Sequence, residues 1–259
     1  CNFTNVTMEE LGSDRVLVRG AKGLPPTDTY KVSATYLKGY RIGIAVIISG
    51  IKAAEKAQVS ANAIIKKTER MFSDNDWSNY TDTNISIIGT EVTYGKNAKT
   101  LKPREVLLRI IATHKQKEAL ILLSQEIAQA STGMTPGFTN MLGGRPSVSP
   151  SIRLFSFLLP KENIRTTVDF NEKQFELEIW ETKSNNVDYN NTIPDLSDNI
   201  DTPDTEVSLI NLAYARSGDK GDHANIGVIA RKPEYLPYIR DSLTPKRVAK
   251  YFSHVVKGE

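Results

Sequence analysis

The chain has 259 residues, of which 39% are hydrophobic and 24% charged, and its formal net charge is +3. These values are typical of one large or two ordinary globular domains with a buried core, and the scattered basic residues argue against nucleic acid as a partner. No apolar run is long enough to span a membrane, and one cysteine, Cys1, excludes an internal disulfide framework.

The two ends of the chain predict a piece of a longer polypeptide. The first residue is Cys1 rather than methionine, and the last helix-like segment stops at residues 257–259 without a closing strand. No charged-then-apolar leader opens the chain. A single cysteine suits a reducing compartment, so we expect a cytoplasmic protein.

The first part of the chain alternates between strand and helix patterns. Residues 15–19 alternate as a short strand, and residues 30–37 and 40–48 form two more strands. Lys38 and Gly39 between them predict a two-residue hairpin turn. From residue 51 to 72 the apolar positions recur at steps of three and four, which predicts an amphipathic helix.

The middle of the chain repeats this succession. Strand patterns cover residues 84–94 and 105–113, and an amphipathic helix covers 115–130. A loop rich in Gly, Pro, Ser and Thr occupies 133–150, and strands follow at 152–159, 165–170 and 174–180. The fold class predicted from this order is α+β, a mixed sheet with helices on one face.

Composition changes after residue 180. Residues 181–205 are rich in Asn, Asp, Ser, Thr and Pro and predict a polar linker between a domain at 1–180 and a second one at 206–259. The second domain shows strands at 207–213 and 225–230, a short helix from Pro233 and a helix at 244–256. Thr244 followed by Pro245 is typical of a helix start.

The loop at residues 216–225 carries more functional groups than a chain reversal needs. Its glycines could form a nest of backbone N–H groups for a phosphate or carboxylate. The predicted ligand contacts here are Arg216, Ser217, Gly218, Lys220, Gly221 and Asn225. Asp219, Asp222 and His223 are the predicted catalytic residues, as proton-transfer groups, or alternatively ligands of a divalent cation. The competing interpretation is a charged turn whose Asp and Ser side chains cap backbone groups.

A second candidate lies in the loop at residues 133–151. Gly143 and Gly144 would let the backbone approach a ligand, and Arg145 presents a planar group suited to a carboxylate or phosphate. Ser147 is the fourth predicted ligand contact. The alternative is a surface connection with a solvated arginine. His114, at a strand end, and His254, late in a helix, are interpreted as structural.

Three stretches carry a family resemblance: Arg216-Ser-Gly-Asp-Lys-Gly-Asp-His-Ala-Asn-Ile-Gly-Val-Ile-Ala-Arg231, Gly143-Gly-Arg-Pro-Ser-Val-Ser-Pro150 and Leu24-Pro-Pro-Thr-Asp-Thr-Tyr-Lys-Val-Ser33. With them the chain resembles the acyclic terpene utilisation AtuA family over nearly its whole length. The resemblance implies an upstream portion beyond this sequence and a small, truncated C-terminal ferredoxin-like domain at 206–259. It carries over no catalytic residue.

The resemblance also implies a role in catabolism of citronellol- and geraniol-type terpenes through acyl-CoA intermediates. The first hypothesis is a protein that binds a small anionic acyl or acyl-CoA ligand, as a homo-oligomer or enzyme subunit. One alternative is a non-catalytic subunit or scaffold that assembles with a catabolic enzyme. Another is a metal-dependent hydrolase or lyase. Whether the protein is an enzyme, and which cofactor it would use, stay open at this point.

Overall fold

A computed structural model describes residues 5–23, 25–100, 102–140, 144–177, 205–219, 221 and 223–256. The chain divides into two compact units. Unit 1 comprises Cys1–Tyr40 and Ser149–Asn191, and unit 2 comprises Arg41–Val148 and Thr192–Glu259. The predicted linker at 181–205 lies almost wholly outside the described residues.

The strands and helices follow in chain order. The strands are β1 Thr7–Gly12, β2 Arg15–Arg19, β3 Thr29–Ser49, β4 Asp82–Ile88, β5 Glu105–His114, β6 Phe138–Asn140, β7 Val148–Pro160, β8 Thr166–Phe170, β9 Lys173–Leu177, β10 Ala213–Asp219 and β11 Ala224–Ala230. The helices are α1 Ala53–Asp74, α2 Lys117–Gly133, α3 Leu209–Leu212, α4 Leu236–Ser242 and α5 Pro245–Tyr251. Three short 3-10 segments lie at Val92–Asn97, Lys161–Asn163 and Pro233–Tyr235.

The core of unit 2 has a recognisable topology. Its elements follow as β3, α1, β4, β5, α2 and β6, and the strands lie in the order β4-β5-β3-β6. β4 pairs antiparallel with β5, and β6 pairs antiparallel with β3. This succession and strand order are those of the βαββαβ, ferredoxin-like arrangement. From the family resemblance, that arrangement is expected only in the C-terminal segment.

The two long helices bury one face of this sheet. Along β5 every second residue is buried, from Val106 and Leu108 to His114. The buried residues of α1 recur at helical spacing, with Ile64 and Phe72 nearly inaccessible to solvent. Each such side chain stabilises the fold by roughly 1.5–3 kcal/mol on burial. The predicted α+β class, with helices on one face of the sheet, is confirmed.

The hairpin turn predicted at Lys38 and Gly39 is wrong, because β3 runs without a break from Thr29 to Ser49. Gly39 takes a φ of 146° inside the strand, an extended conformation rather than that of a two-residue hairpin turn. The strand continues because it has pairing partners along its length: β7 pairs with it, and β5 and β6 flank it in the sheet of unit 2. Backbone groups that are already paired in a sheet have no need of a local turn.

The strand predicted at 84–94 ends early, at Ile88. Gly89 and Glu91 both take positive φ, and the 3-10 segment Val92–Asn97 follows. The Glu91 carboxylate accepts hydrogen bonds from the backbone N–H of Lys99, at 2.6 Å, and from the Thr100 hydroxyl, at 3.1 Å. These two bonds hold the pKa of Glu91 below its usual value, the Lys99 N–H having the larger effect. They also bring Lys99 and Thr100 back to Glu91, which an extended strand over these residues would not allow.

The strands described in unit 1 form β-ribbons. β1 pairs with β2 and β8 with β9, each as an antiparallel hairpin. β7 pairs with β3, and the hydroxyls of Ser33 and Ser156 lie 3.5 Å apart on that pair. The strand predictions at 15–19, 152–159 and 165–170 are confirmed to within a few residues, whereas β1 was not predicted.

The C-terminal part of unit 2 differs from its prediction at the strand predicted at 207–213 and at the helix predicted at 244–256, which ends at Tyr251. Residues 209–212 form the helical turn α3, so the strand predicted at 207–213 begins only at Ala213. β10 and β11 form an antiparallel hairpin, and α4 and α5 follow. The predicted helix start is confirmed, since the Thr244 side chain accepts the backbone N–H of Arg247.

Candidate functional site

A groove lies along one face of α2. It is lined by Lys117, Ile121, Ser124, Gln125, Arg145, Pro146, Ser147 and Val148, and its volume is about 320 Å³. The four helix residues are spaced so that they share one face over two turns, and residues 145–148 form the opposite wall. The groove therefore contains two of the ligand contacts predicted from sequence, Arg145 and Ser147.

The wall of residues 145–148 is anchored to the helix by one hydrogen bond. The hydroxyl of Ser124, which is only 5% exposed, donates to the backbone carbonyl of Pro146 at 2.6 Å. Gly144 precedes this wall with a φ of +69°, a left-handed conformation that favours glycine. Its role is thus to turn the backbone ahead of Arg145. Gly143 lies outside the described residues.

The groove is cationic and partly apolar. Lys117 and Arg145 are the charged side chains among its described lining residues, and both carry positive charge. Ile121, Pro146 and Val148 supply apolar surface, and Ser147 and Gln125 supply polar groups. Such a combination can hold a molecule that has an anionic end and a hydrocarbon part.

The second candidate, predicted as a loop over residues 216–225, is mostly a β-hairpin. Arg216, Ser217, Gly218 and Asp219 belong to β10, and Asn225 belongs to β11. The connection is reduced to residues 220–223. Backbone pairing from Ala213 with Ala230 to Asp219 with Ala224 extends the strands through this polar stretch.

Strand alternation divides the predicted residues of the hairpin between its two faces. Arg216, Gly218 and Asn225 share one face, since Gly218 lies opposite Asn225 in the register. Ser217 and Asp219 lie on the other face. A single ligand lying on one face of the hairpin would therefore not reach both Arg216 and Asp219.

The tip of the hairpin is built by a local hydrogen bond. The Asp219 carboxylate accepts the backbone N–H of Gly221 at 2.8 Å, and Gly221 takes a φ of +82°. This is the behaviour of a turn aspartate. His223 is exposed, while Lys220 and Asp222 lie outside the described residues. The catalytic role predicted for Asp219, Asp222 and His223 stays a prediction.

The two candidates are not brought together by the described residues. None of the described hairpin residues is among those that line the α2 groove. No group of three or more His, Cys, Asp or Glu side chains could share a metal ion in the part of the chain that the structure describes.

The two remaining histidines are held by backbone groups. His114 is buried, with Nε2 2.7 Å from the Ser78 carbonyl oxygen and Nδ1 accepting the backbone N–H of Gln116 at 2.9 Å. His254 lies beyond the end of α5, with Nε2 2.7 Å from the carbonyl oxygen of Thr93. The structural interpretation of both is confirmed, but helix-end electrostatics is the wrong reason for His254.

The groove residues that were not predicted from sequence include Lys117, Ile121 and Gln125. They lie on the outer side of α2, opposite the buried stripe that includes Leu120 and Leu123. An amphipathic pattern distinguishes buried from exposed positions but does not tell a groove wall from a bare surface. A signal in the sequence was Ile121, an apolar residue on the polar side of the helix, and the structure leaves it 40% exposed.

Within the described residues, every helix is too short or too polar to cross a membrane.

Comparison with known proteins identifies the family. No curated protein and no solved structure matches this chain. The model of the acyclic terpene utilisation family protein AtuA matches residues 1–170, and the model of the AtuA ferredoxin-like domain matches residues 207–259. The chain therefore belongs to the acyclic terpene utilisation AtuA family.

Proposed function

We propose that this protein binds a small anionic acyl ligand, such as a terpenoid acyl-CoA or its acid, in the α2 groove. The observation that carries the proposal is that Lys117 and Arg145, both positively charged, line one groove together with apolar side chains. The family's association with acyclic terpene utilisation supports the hydrocarbon part of the ligand. A cytoplasmic location is part of the proposal, because a chain with one cysteine forms no disulfide of its own.

The size of the groove limits what part of the ligand it would hold. A volume of about 320 Å³ is near the lower end of the range for small-molecule sites. It suits a small acid, or the charged end and adjoining chain of a larger molecule. Arg145 would bind the anion through its planar guanidinium, with Lys117 adding a second positive charge.

The hairpin of β10 and β11 is a separate candidate within the same proposal. Arg216 and Asn225 would contact an anion on one of its faces. Proton transfer by Asp219, Asp222 or His223 would make the protein an enzyme, and metal-dependent hydrolysis or lyase chemistry would draw on the same three residues. We assign no reaction step, since the described hairpin residues do not line the groove.

Calorimetric titration with geranyl-CoA, CoA and acetate tests the proposal. Each exposed ion pair contributes up to about 1 kcal/mol, so Arg145→Ala and Lys117→Ala should each weaken binding by roughly fivefold. Arg153→Ala and Lys115→Ala are the matched controls, because both side chains are exposed and neither lines the groove. Both controls should bind as the unsubstituted chain does.

The other outcomes are equally specific. Loss of binding in Arg216→Ala, with Arg145→Ala unaffected, would move the site to the hairpin. If none of the three ligands binds, the proposal is contradicted. If CoA binds as tightly as geranyl-CoA, the apolar side chains of the groove do not contribute to the affinity.

A second candidate function is that of a non-catalytic subunit that assembles with a catabolic enzyme. The observation in its favour is the apolar surface of β7, where Leu154 and Leu158 are each about two-thirds exposed. Co-purification of a terpene-catabolic enzyme with the intact chain would support it. A chain that purifies alone and binds geranyl-CoA would favour the first candidate.

A further inference from the structure

Unit 1 has no core of its own in the part of the chain that the structure describes. None of its described residues is buried. Every one of its strands nevertheless carries large apolar side chains that are exposed, among them Met8 at 74% and Phe170 at 66%. Two-stranded ribbons are at best marginally stable in water, so these strands need a surface to pack against.

The two hairpins of unit 1 are each amphipathic. On β1–β2 the register places Met8, Val16 and Val18 on one face. On β8–β9 it places Val168 and Phe175 as a cross-strand pair, with Phe170 and Leu177 on the same face. This alternation is the pattern of a hairpin with one face against a core and one in water. Within the residues that the structure describes, the side chains of both apolar faces are exposed.

Each apolar face also contains one charged residue, and the two charges are opposite. Glu10 lies opposite Val16 on the β1–β2 face. Lys173 lies opposite Phe170 on the β8–β9 face. A β1–β2 face laid against a β8–β9 face would bury the apolar side chains and bring these two charges within reach of each other.

We propose that two copies of this chain associate through unit 1, the β1–β2 face of one copy packing on the β8–β9 face of the other. A two-fold axis would repeat this contact, so that each copy contributes both faces. The two faces together present seven exposed apolar side chains: Met8, Val16, Val18, Val168, Phe170, Phe175 and Leu177. Exposed apolar surface of this kind marks sites of protein–protein interaction.

The proposal does not depend on the ligand groove, which lies in unit 2. Self-association can therefore fail while ligand binding succeeds, and the reverse. The charge pair makes the contact testable residue by residue. Exchanging the signs of both charges should preserve the interface, whereas reversing one charge places like charges against each other.

Sedimentation equilibrium of the whole chain gives the test. The expected mass is twice the 28.8 kDa of one chain. Phe175→Glu should give monomers, while Val59→Glu, at an exposed apolar position of α1 outside unit 1, should not. Glu10→Lys and Lys173→Glu should each weaken the dimer by roughly tenfold, and the double variant should recover most of that loss.

Three results would overturn the proposal. One is a chain that sediments as a monomer at all concentrations. Another is a dimer that Phe175→Glu leaves intact. The third is a double variant whose dimer is weakened by the product of the two single effects. Such a result would mean that Glu10 and Lys173 do not meet across the interface.

Discussion

The contact between Gly95 and His254 joins the two segments that match separate family models. His254 belongs to the segment matched by the ferredoxin-like domain, and Gly95 belongs to the segment matched by AtuA. Gly95 has a φ of +53°, and a Cβ placed on it would lie 2.3 Å from Cγ of the His254 ring. The ring can therefore approach the 3-10 segment only because residue 95 has no side chain.

Gly95→Ala should release the C-terminal segment. The substitution displaces His254 from its hydrogen bond to Thr93, at about 1 kcal/mol, while the strain of a left-handed alanine stays within the 3-10 segment. A loss of about 1 kcal/mol corresponds to a roughly fivefold increase in local opening. Hydrogen–deuterium exchange measured over residues 245–256 should increase by that factor.

Gly144→Ala is the matched control. Gly144 has a similar φ, of +69°, but a Cβ there meets nothing within 4 Å. This variant carries the backbone strain without the clash, so exchange over residues 245–256 should stay unchanged. Unchanged exchange in Gly95→Ala would refute the reasoning. Equal increases in both variants would show that the contact with His254 is not the cause.

Three further predictions concern the acidic loop, the groove wall and the core. The pKa of Glu91 is lowered by its hydrogen bonds, so the stability that this carboxylate adds is present above the ordinary glutamate pKa and is lost as pH falls through the folded value. The protection factor of the Lys99 amide, taken relative to the intrinsic exchange rate at each pH, should therefore fall on acidification, and Glu91→Gln should lower it already at pH 7. Ser124→Ala removes the anchor of the groove wall and should lower the free energy of unfolding by about 1 kcal/mol in urea titrations, and weaken ligand binding in calorimetry. Ile110→Ala should lower the free energy of unfolding by about 2–5 kcal/mol in the same titration, and Ile111→Ala, at a half-buried position, should lower it clearly less. Equal losses in the two variants would contradict the assignment of the helix-covered face.

Helical periodicity predicted the two long helices well. The apolar stripe of α1 is long and regular, and its ends differ from the prediction by two residues. The turn at Lys38 and Gly39 was wrong because a glycine in a strand with partners resembles, in sequence, a glycine in a turn. Pairing between distant strands decides such cases, and a local pattern contains no information about it.

Part of the candidate site could be predicted and part could not. Arg145 stands out in sequence because it follows two glycines in a polar loop. The other wall of its groove could not be foreseen, since it depends on the hydrogen bond from Ser124 to Pro146. At Arg216 and Asp219, glycine and charge suggested a loop, but pairing with β11 formed a strand and placed the two side chains on opposite faces.

A crystal structure of the protein with geranyl-CoA tests the central claim most directly. We expect an anionic group of the ligand within hydrogen-bonding distance of the Arg145 guanidinium and close to the Lys117 ammonium, with hydrocarbon against Ile121. A ligand bound on the β10–β11 hairpin, with the α2 groove occupied by solvent, would contradict the claim.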